Sequence, residues 1–347
     1  MAPLAASVVA TLAASLALGV GVALAKAERV RRSSRERPPA DRRFALLAGE
    51  PPADGLKRIA LGQLDLAIEL LGGDAGVTPN AQAVHDTRKA LKRLRAVVRL
   101  LRGELGEKAY ARESAALRDV GRRLAGARDA EVMVGTLEQL LERHPRKLRR
   151  RRGIAKLRKR LVAERDRAVA SALGDAAARA DVVGELRAIR ARACLWQLSE
   201  RPGIEILEPG LEHIYRQGRR RQRRAGRASA GGGNGDRARA LHEWRKRVKD
   251  LRYAAEILDR RGKLAQRADD LGETLGEEHD LTVLAALIRR QRLGRKSRRT
   301  ILKLIARRRA ELRKRALRDG ARLYGRRPKK LVRRVRRDYL RASLSRR

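Results

Sequence analysis

A basic amphipathic segment is written twice in this chain, and that repetition limits the architectures open to it. Residues 83–102 read AVHDTRKALKRLRAVVRLLR, and residues 241–258 read LHEWRKRVKDLRYAAEIL. At a shift of 157, His85 falls on His242, Arg88 on Arg245, Lys89 on Lys246, Lys92 on Lys249 and Arg95 on Arg252. At about 100° per residue these positions share one face of a helix. Leu91, Leu94, Val98 and Leu101 take the opposite face, as do Trp244, Val248, Leu251, Ala255 and Leu258 in the second copy. Each segment therefore predicts a helix with one apolar and one cationic face.

The surrounding sequence repeats as well. Gly55, Leu56 and Ile59 match Gly210, Leu211 and Ile214 at a shift of 155. The stretch 120–134 matches 271–285 at a shift of 151, pairing Leu124 with Leu275, Asp129 with Asp280 and Val132 with Val283. Three features in one order at nearly constant shift indicate an internal duplication. The units run over about 43–200 and 205–345. Leu, Ala, Arg and Glu favour helix, and no run rich in β-branched or aromatic residues suggests a strand. The expectation is an all-α fold of two pseudo-symmetric antiparallel helical bundles, with long helices and a basic groove between them.

Expected helices cover 52–72, 79–102, 107–125, 129–143, 146–174, 178–198, 208–224, 237–260, 263–275, 280–292 and 297–319, with partial helix over 326–347. Thr78-Pro79 reads as an N-cap with proline in the first turn, and Asp236 as a cap after a Gly-rich loop at 230–235. The basic runs 218–224 and 294–299 read as solvated loops or helix ends.

Charge narrows the partner. The chain carries 86 Lys and Arg against 40 Asp and Glu, a formal net charge of +46. Such an excess calls for a polyanion: nucleic acid, an anionic membrane or a phosphate polymer. Only 2% of residues are aromatic, so there is little on which to stack bases. The single cysteine, Cys194, excludes an intrachain disulfide framework and suits a reducing compartment.

Residues 1–25 carry no charged side chain, and a basic linker follows over 26–42. That apolar length suffices to span a bilayer, and the trailing positive charge would stay on the cytoplasmic side. A membrane anchor is the expectation for 1–25, and a cleaved signal peptide ending in Ala-Leu-Ala is the competing reading.

A charged helix face is ordinarily just a solvated one. Here the two copies differ at core positions (Leu91 against Val248, Val97 against Ala254) yet keep the same His, Arg, Lys, Lys and Arg. Carboxylates that could neutralise the stripes locally are scarce, so the cations need a counter-anion. The candidate binding residues are thus His85, Arg88, Lys89, Lys92, Arg95, His242, Arg245, Lys246, Lys249 and Arg252. Arginine forks onto phosphate oxygens, and lysine supplies a mobile point charge. Asp129 and Asp280 read either as N-caps or as carboxylates that orient these side chains. Tyr253 reads either as a site hydroxyl or as a core-edge residue. A metal between His85 and His242 is disfavoured by the cations beside them, and no cofactor is expected.

The pattern HxxRKxxKRLR, repeated as HxxRKxxKxLRY and accompanied by the Arg-Asp pair at 128–129 and His-Asp-Leu at 279–281, resembles the CHAD domain, the conserved histidine α-helical domain. The opening over Glu50–Leu71 is also similar to that family's first helix. The resemblance spans about 43–345 and implies binding of inorganic polyphosphate, without catalysis, along a basic surface between two four-helix bundles. Polyphosphate granules and a membrane tether through 1–25 are associated expectations; a nucleic-acid-binding protein using the same basic surface is the alternative. His279 departs from the pattern, standing where a small polar residue is expected. There is no ExExK strand motif of the triphosphate-tunnel enzymes often joined to this domain, and no phosphohydrolase activity is carried over.

Overall fold

Alternation of apolar and charged residues at helical spacing gives helices along nearly the whole described chain. The computed structural model describes residues 43–47, 49–72, 81–124, 126–174, 176–199, 203–259 and 262–344; the side chains of 126–129 fall outside the described set. The helices are α1 (Pro52–Gly72), α2 (Ala81–Leu100), α3 (Arg102–Arg123), α4 (Gly126–Arg143), α5 (Pro145–Leu148) and α6 (Arg152–Gly174). They continue with α7 (Ala176–Cys194), a 3-10 turn at Ile204–Leu207, α8 (Glu208–Gly231), α9 (Asn234–Leu258), α10 (Lys263–Arg290), α11 (Arg295–Leu323) and α12 (Pro328–Leu344). The fold is all-α, with no strand among the described residues.

The two basic segments form α2 and α9, which pack against each other. α1 packs on α2 and α7, while α8 packs on α9. Two cores result. The larger joins α1, α2, α3 and α7 to α8, α9, the first half of α10 and the C-terminal end of α11. The smaller joins α4 and α6 to the second half of α10 and the first part of α11. Each core thus draws helices from both halves of the sequence.

Several expectations are corrected here. The stretches 263–275 and 280–292 are one helix, α10, because Leu271, Leu275, Glu278, Leu281, Leu284 and Ile288 keep a buried face running through Gly276 and Asp280. At about 1.5 Å per residue its 28 residues span about 42 Å, enough to reach both cores. Asp280 lies in mid-helix and caps nothing. Asp129 lies inside α4 rather than before it. The Gly-rich loop contracts to Gly232 and Gly233; Gly233 stands at the N-cap of α9, and Asp236 falls in its first turn. The run 218–224 lies within α8. The helix expected over 146–174 breaks at Arg149–Arg151, where the Arg151 side chain donates to the Lys147 carbonyl at 2.8 Å and closes α5. The Thr78-Pro79 cap lies outside the described residues.

One repeated sequence feature has a steric cause. Gly210 opens α8 against the end of α2, where a Cβ would lie 2.1 Å from the Leu100 carbonyl oxygen. Only glycine allows the two backbones to approach so closely. Gly106, at φ 71°, kinks α3 near its start, so that regular helix follows it.

No helix among the described residues is long and apolar enough to cross a membrane. The expected anchor at 1–25 lies outside them.

Candidate functional site

Where α2 and α9 cross, the seam is closed by ion pairs. Arg99 reaches Asp250 at 2.9 Å, and Arg247 reaches the same carboxylate at 3.0 Å. Arg95 is turned into this seam, within the fields of Arg99, Asp250, Arg247 and Arg118. Trp244, Val248 and Leu251 are buried on the apolar side of α9, which leaves His242, Arg245, Lys246 and Lys249 on its other side.

Lys249 stands at the junction of the two stripes. Burial and the nearby charges of Arg245, Lys92 and Arg252 push its ammonium down to about 7, with only Asp280 acting in the other direction. Lys92 comes from α2, so the crossing brings the two cationic faces into one field. Lys89 and Lys92 are exposed, while His85 and Arg88 are partly buried. Arg88 donates to the Leu124 carbonyl at the end of α3, which holds it along the first stripe.

The second stripe is better compensated than local sequence suggests. Lys246 pairs with Glu243 at 2.7 Å. Arg245 faces Asp280 of α10 at 3.8 Å. Arg252 pairs with Glu256 at 2.8 Å and with Asp269 of α10 at 2.6 Å. The expectation of scarce carboxylates is corrected for this half: Asp269 and Asp280 come from another helix, beyond any i,i+4 scan. Asp280 acts on Arg245, in keeping with an orienting role. Tyr253 is buried with its ring edge-on to Phe44 at 6.2 Å, at the edge of the core. The Asp129 side chain lies outside the described residues.

His279, singled out in sequence only as a departure from pattern, lies beside the second stripe. Its ring lies 4.4 Å from that of His242, tilted by 31°. Burial, together with Arg245, His242, Lys249 and Lys246, pushes His279 down to about 4. His242 is lowered too, chiefly by burial. Both rings are therefore neutral near pH 7. His242 thus has a ring neighbour, His279, from within its own half of the sequence. Among the described residues no group of three His, Cys, Asp or Glu could hold a metal ion.

Two buried nitrogens in this region, His242 Nδ1 and Arg245 Nε, have no hydrogen-bond partner among the described residues. Such groups carry a desolvation cost that a hydrogen-bonding partner would relieve. Beyond Asp280 the character changes: a cavity of about 410 Å³ between α4 and α10 is lined by Glu131, Glu277 and Asp280, with Arg165 from α6. Two of these carboxylates are already paired, Glu277 with Arg143 and Arg308 and Asp280 with Arg245.

The CHAD domain family matches residues 63–289, well over half of the chain. The chain belongs to the CHAD domain family. Its fold resembles that of PptA from Streptomyces chartreusis, at 17% identity and a TM-score of 0.56, covering 79% of this chain and all of that one. It also resembles the CHAD domain from the plant Ricinus communis, at 21% identity and a TM-score of 0.53, covering 80% of this chain and 93% of that one. No curated protein matches the chain. The CHAD match takes in both basic helices and ends one residue short of the end of α10. α11 and the buried residues of α12 complete the same cores beyond it.

The arginines of 218–224, expected as solvated loops or helix ends, lie on α8 beside α9. Arg221 lies close enough to Glu243 to lower its carboxyl, after the larger effect of Lys246. α8 thus borders the second stripe, a proximity that only the packing of α8 on α9 reveals.

Proposed function

We propose that this CHAD domain binds inorganic polyphosphate, without catalysis, along the cationic strip formed by α2 and α9. The observation that carries the reading is the packing of α2 against α9, which brings Lys92 of one stripe beside Arg245, Lys249 and Arg252 of the other; burial first, then these cations, push Lys249 down to about 7. A polyanion laid across the crossing adds negative charge beside these cations and favours the charged form of Lys249. His85, Arg88, Lys89 and Lys92 line one side; His242, Arg245 and Lys246 line the other, with Arg95 and Arg252 fixing the strip to the seam and to α10. Polyphosphate binding is the property for which CHAD domains are known, and family membership supports it for this chain. Bound phosphates also provide an acceptor for Arg245 Nε.

The test is a competition titration on the full chain at about 150 mM salt, where screening acts over about 8 Å. Labelled long-chain polyphosphate is displaced by duplex DNA, single-stranded RNA and heparin at matched charge. Preference for polyphosphate by about tenfold, or about 1.4 kcal/mol, is the expected result. Displacement by all three competitors as effectively as by unlabelled polyphosphate would make the surface a general cationic face and favour a nucleic acid.

A further inference from the structure

A second cavity, of about 510 Å³, lies at the other end of α9, beyond the Arg252–Asp269 pair. Its walls come from the segment before α1, the end of α9, the start of α10, the end of α11, and α12. The segment before α1 is held there by the Leu46 amide, which donates to the Ile257 carbonyl at 3.0 Å. The size falls within the range of about 300–1,000 Å³ typical of small-molecule sites.

Its chemistry differs from that of the strip. Leu46, Leu264, Leu331 and Val335 supply an apolar lining. Around it stand Lys263, Arg267, Arg322 and Arg326. None of these four cations has an ion-pair partner among the described residues. Arg334, by contrast, pairs with Asp338 at 3.4 Å, and Asp259 is the other carboxylate of the lining. An apolar floor ringed by an excess of guanidinium groups suits neither a neutral hydrocarbon nor a fully hydrated polyanion. Arginine forks match a phosphate or carboxylate, and apolar walls match a chain that water rejects.

We infer that this cavity binds an amphipathic anion, an alkyl chain carrying one phosphate or carboxylate head group. The cavity adjoins the end of the strip without sharing a residue with it: Arg252 of the strip and Ala255 of the lining are three residues apart on α9, about 4.5 Å along the axis. The head group sits among Arg267, Arg322 and Arg326, and the chain lies against Leu264, Leu331 and Val335. Polyphosphate, having no apolar part, gains nothing from that lining.

The experiment is calorimetric titration of the full chain with dodecyl phosphate, dodecanoate, dodecanol and inorganic phosphate, each below any micelle-forming concentration. One saturable site for an alkyl anion is expected, with dodecanol and inorganic phosphate at least tenfold weaker. Whichever of the two anionic probes binds more tightly identifies the head group. Val335→Trp, which fills the cavity, and Arg322→Glu, at an exposed position, should each weaken binding at least fivefold while leaving polyphosphate affinity unchanged. The second variant keeps the test open should the first perturb folding. Binding by neither anionic probe, equal binding by inorganic phosphate, or variants that bind like the parent would each overturn the inference.

Discussion

At the scale of single residues, Lys249 and His279 couple stability to binding. In the free protein Lys249 is held at about 7, whereas an unfolded chain keeps that proton to about 10.4. Between these values the unfolded state binds the extra proton, so folding loses stability as pH falls from about 10.4 to 7. Replacing the lysine by an apolar residue of similar length removes that loss. Lys249→Met should raise the melting temperature of the free protein at pH 7 and weaken polyphosphate binding, measured by calorimetry on the same sample. If both rise or both fall, the junction is not the strained cationic site described. The same displacement makes binding pH-dependent. A bound polyanion favours the ammonium, so complex formation takes up protons above pH 7 and affinity falls as pH rises from about 6.5 to 8.5. Lys249→Arg, charged throughout, should flatten that fall. For His279 the window is lower: the unfolded ring charges near 6.5 but the folded one only near 4. Stability is therefore lost as pH drops from about 6.5 to 4, and thermal melts of His279→Asn should show less of that loss.

At the scale of helices, Glu278 fastens α10 to α11. Its carboxylate is buried and accepts from Arg309 at 3.0 Å and Arg313 at 2.9 Å. Removing one partner of a buried ionic cluster typically costs about 3–5 kcal/mol, because the remaining charges lose their compensation. Glu278→Ala should lower the urea midpoint accordingly, and a loss below about 1 kcal/mol would place the cluster among weak surface pairs. Gly210→Ala tests the α2–α8 approach, where overpacking should cost about 1–3 kcal/mol. Helix content and the stripes on α2 and α9 were legible because their signals are local: period, repeat and charge. Continuity of α10 was hidden because Gly276 and Asp280 resemble a stop and a cap, while the buried face that overrides them is decided by two cores. Asp280 was named from sequence as a possible orienting carboxylate, but the partner Asp269 and the neighbour His279 were hidden for a related reason. Each lies on α10, and its approach to α9 is a matter of packing. The glycine of the repeated Gly-Leu pair was visible, but its cause, the Leu100 carbonyl 2.1 Å from a would-be Cβ, was not.

At the scale of the whole molecule, the net charge of +46 is a destabilising field that any counter-ion relieves. Raising monovalent salt from about 20 to 200 mM shortens the screening length by about threefold and should raise the melting temperature of the free chain. Polyphosphate should do so at far lower charge concentration, whereas its affinity should fall steeply with the same salt, as expected when counter-ions are released. The charge also explains why composition identified a class of partner and not a place: basic residues cover α8, α11 and α12 as well as the strip. What distinguishes the strip is convergence of two helices, which charge totals do not record. The most direct measurement compares polyphosphate affinity in two variants that lose equal charge. One carries glutamine at Lys89, Lys92, Lys246 and Lys249; the other carries glutamine at the exposed Lys329, Lys330, Arg333 and Arg337 of α12. Binding along the crossing of α2 and α9 predicts a loss at least tenfold greater in the first variant, and equal losses in the two would contradict it.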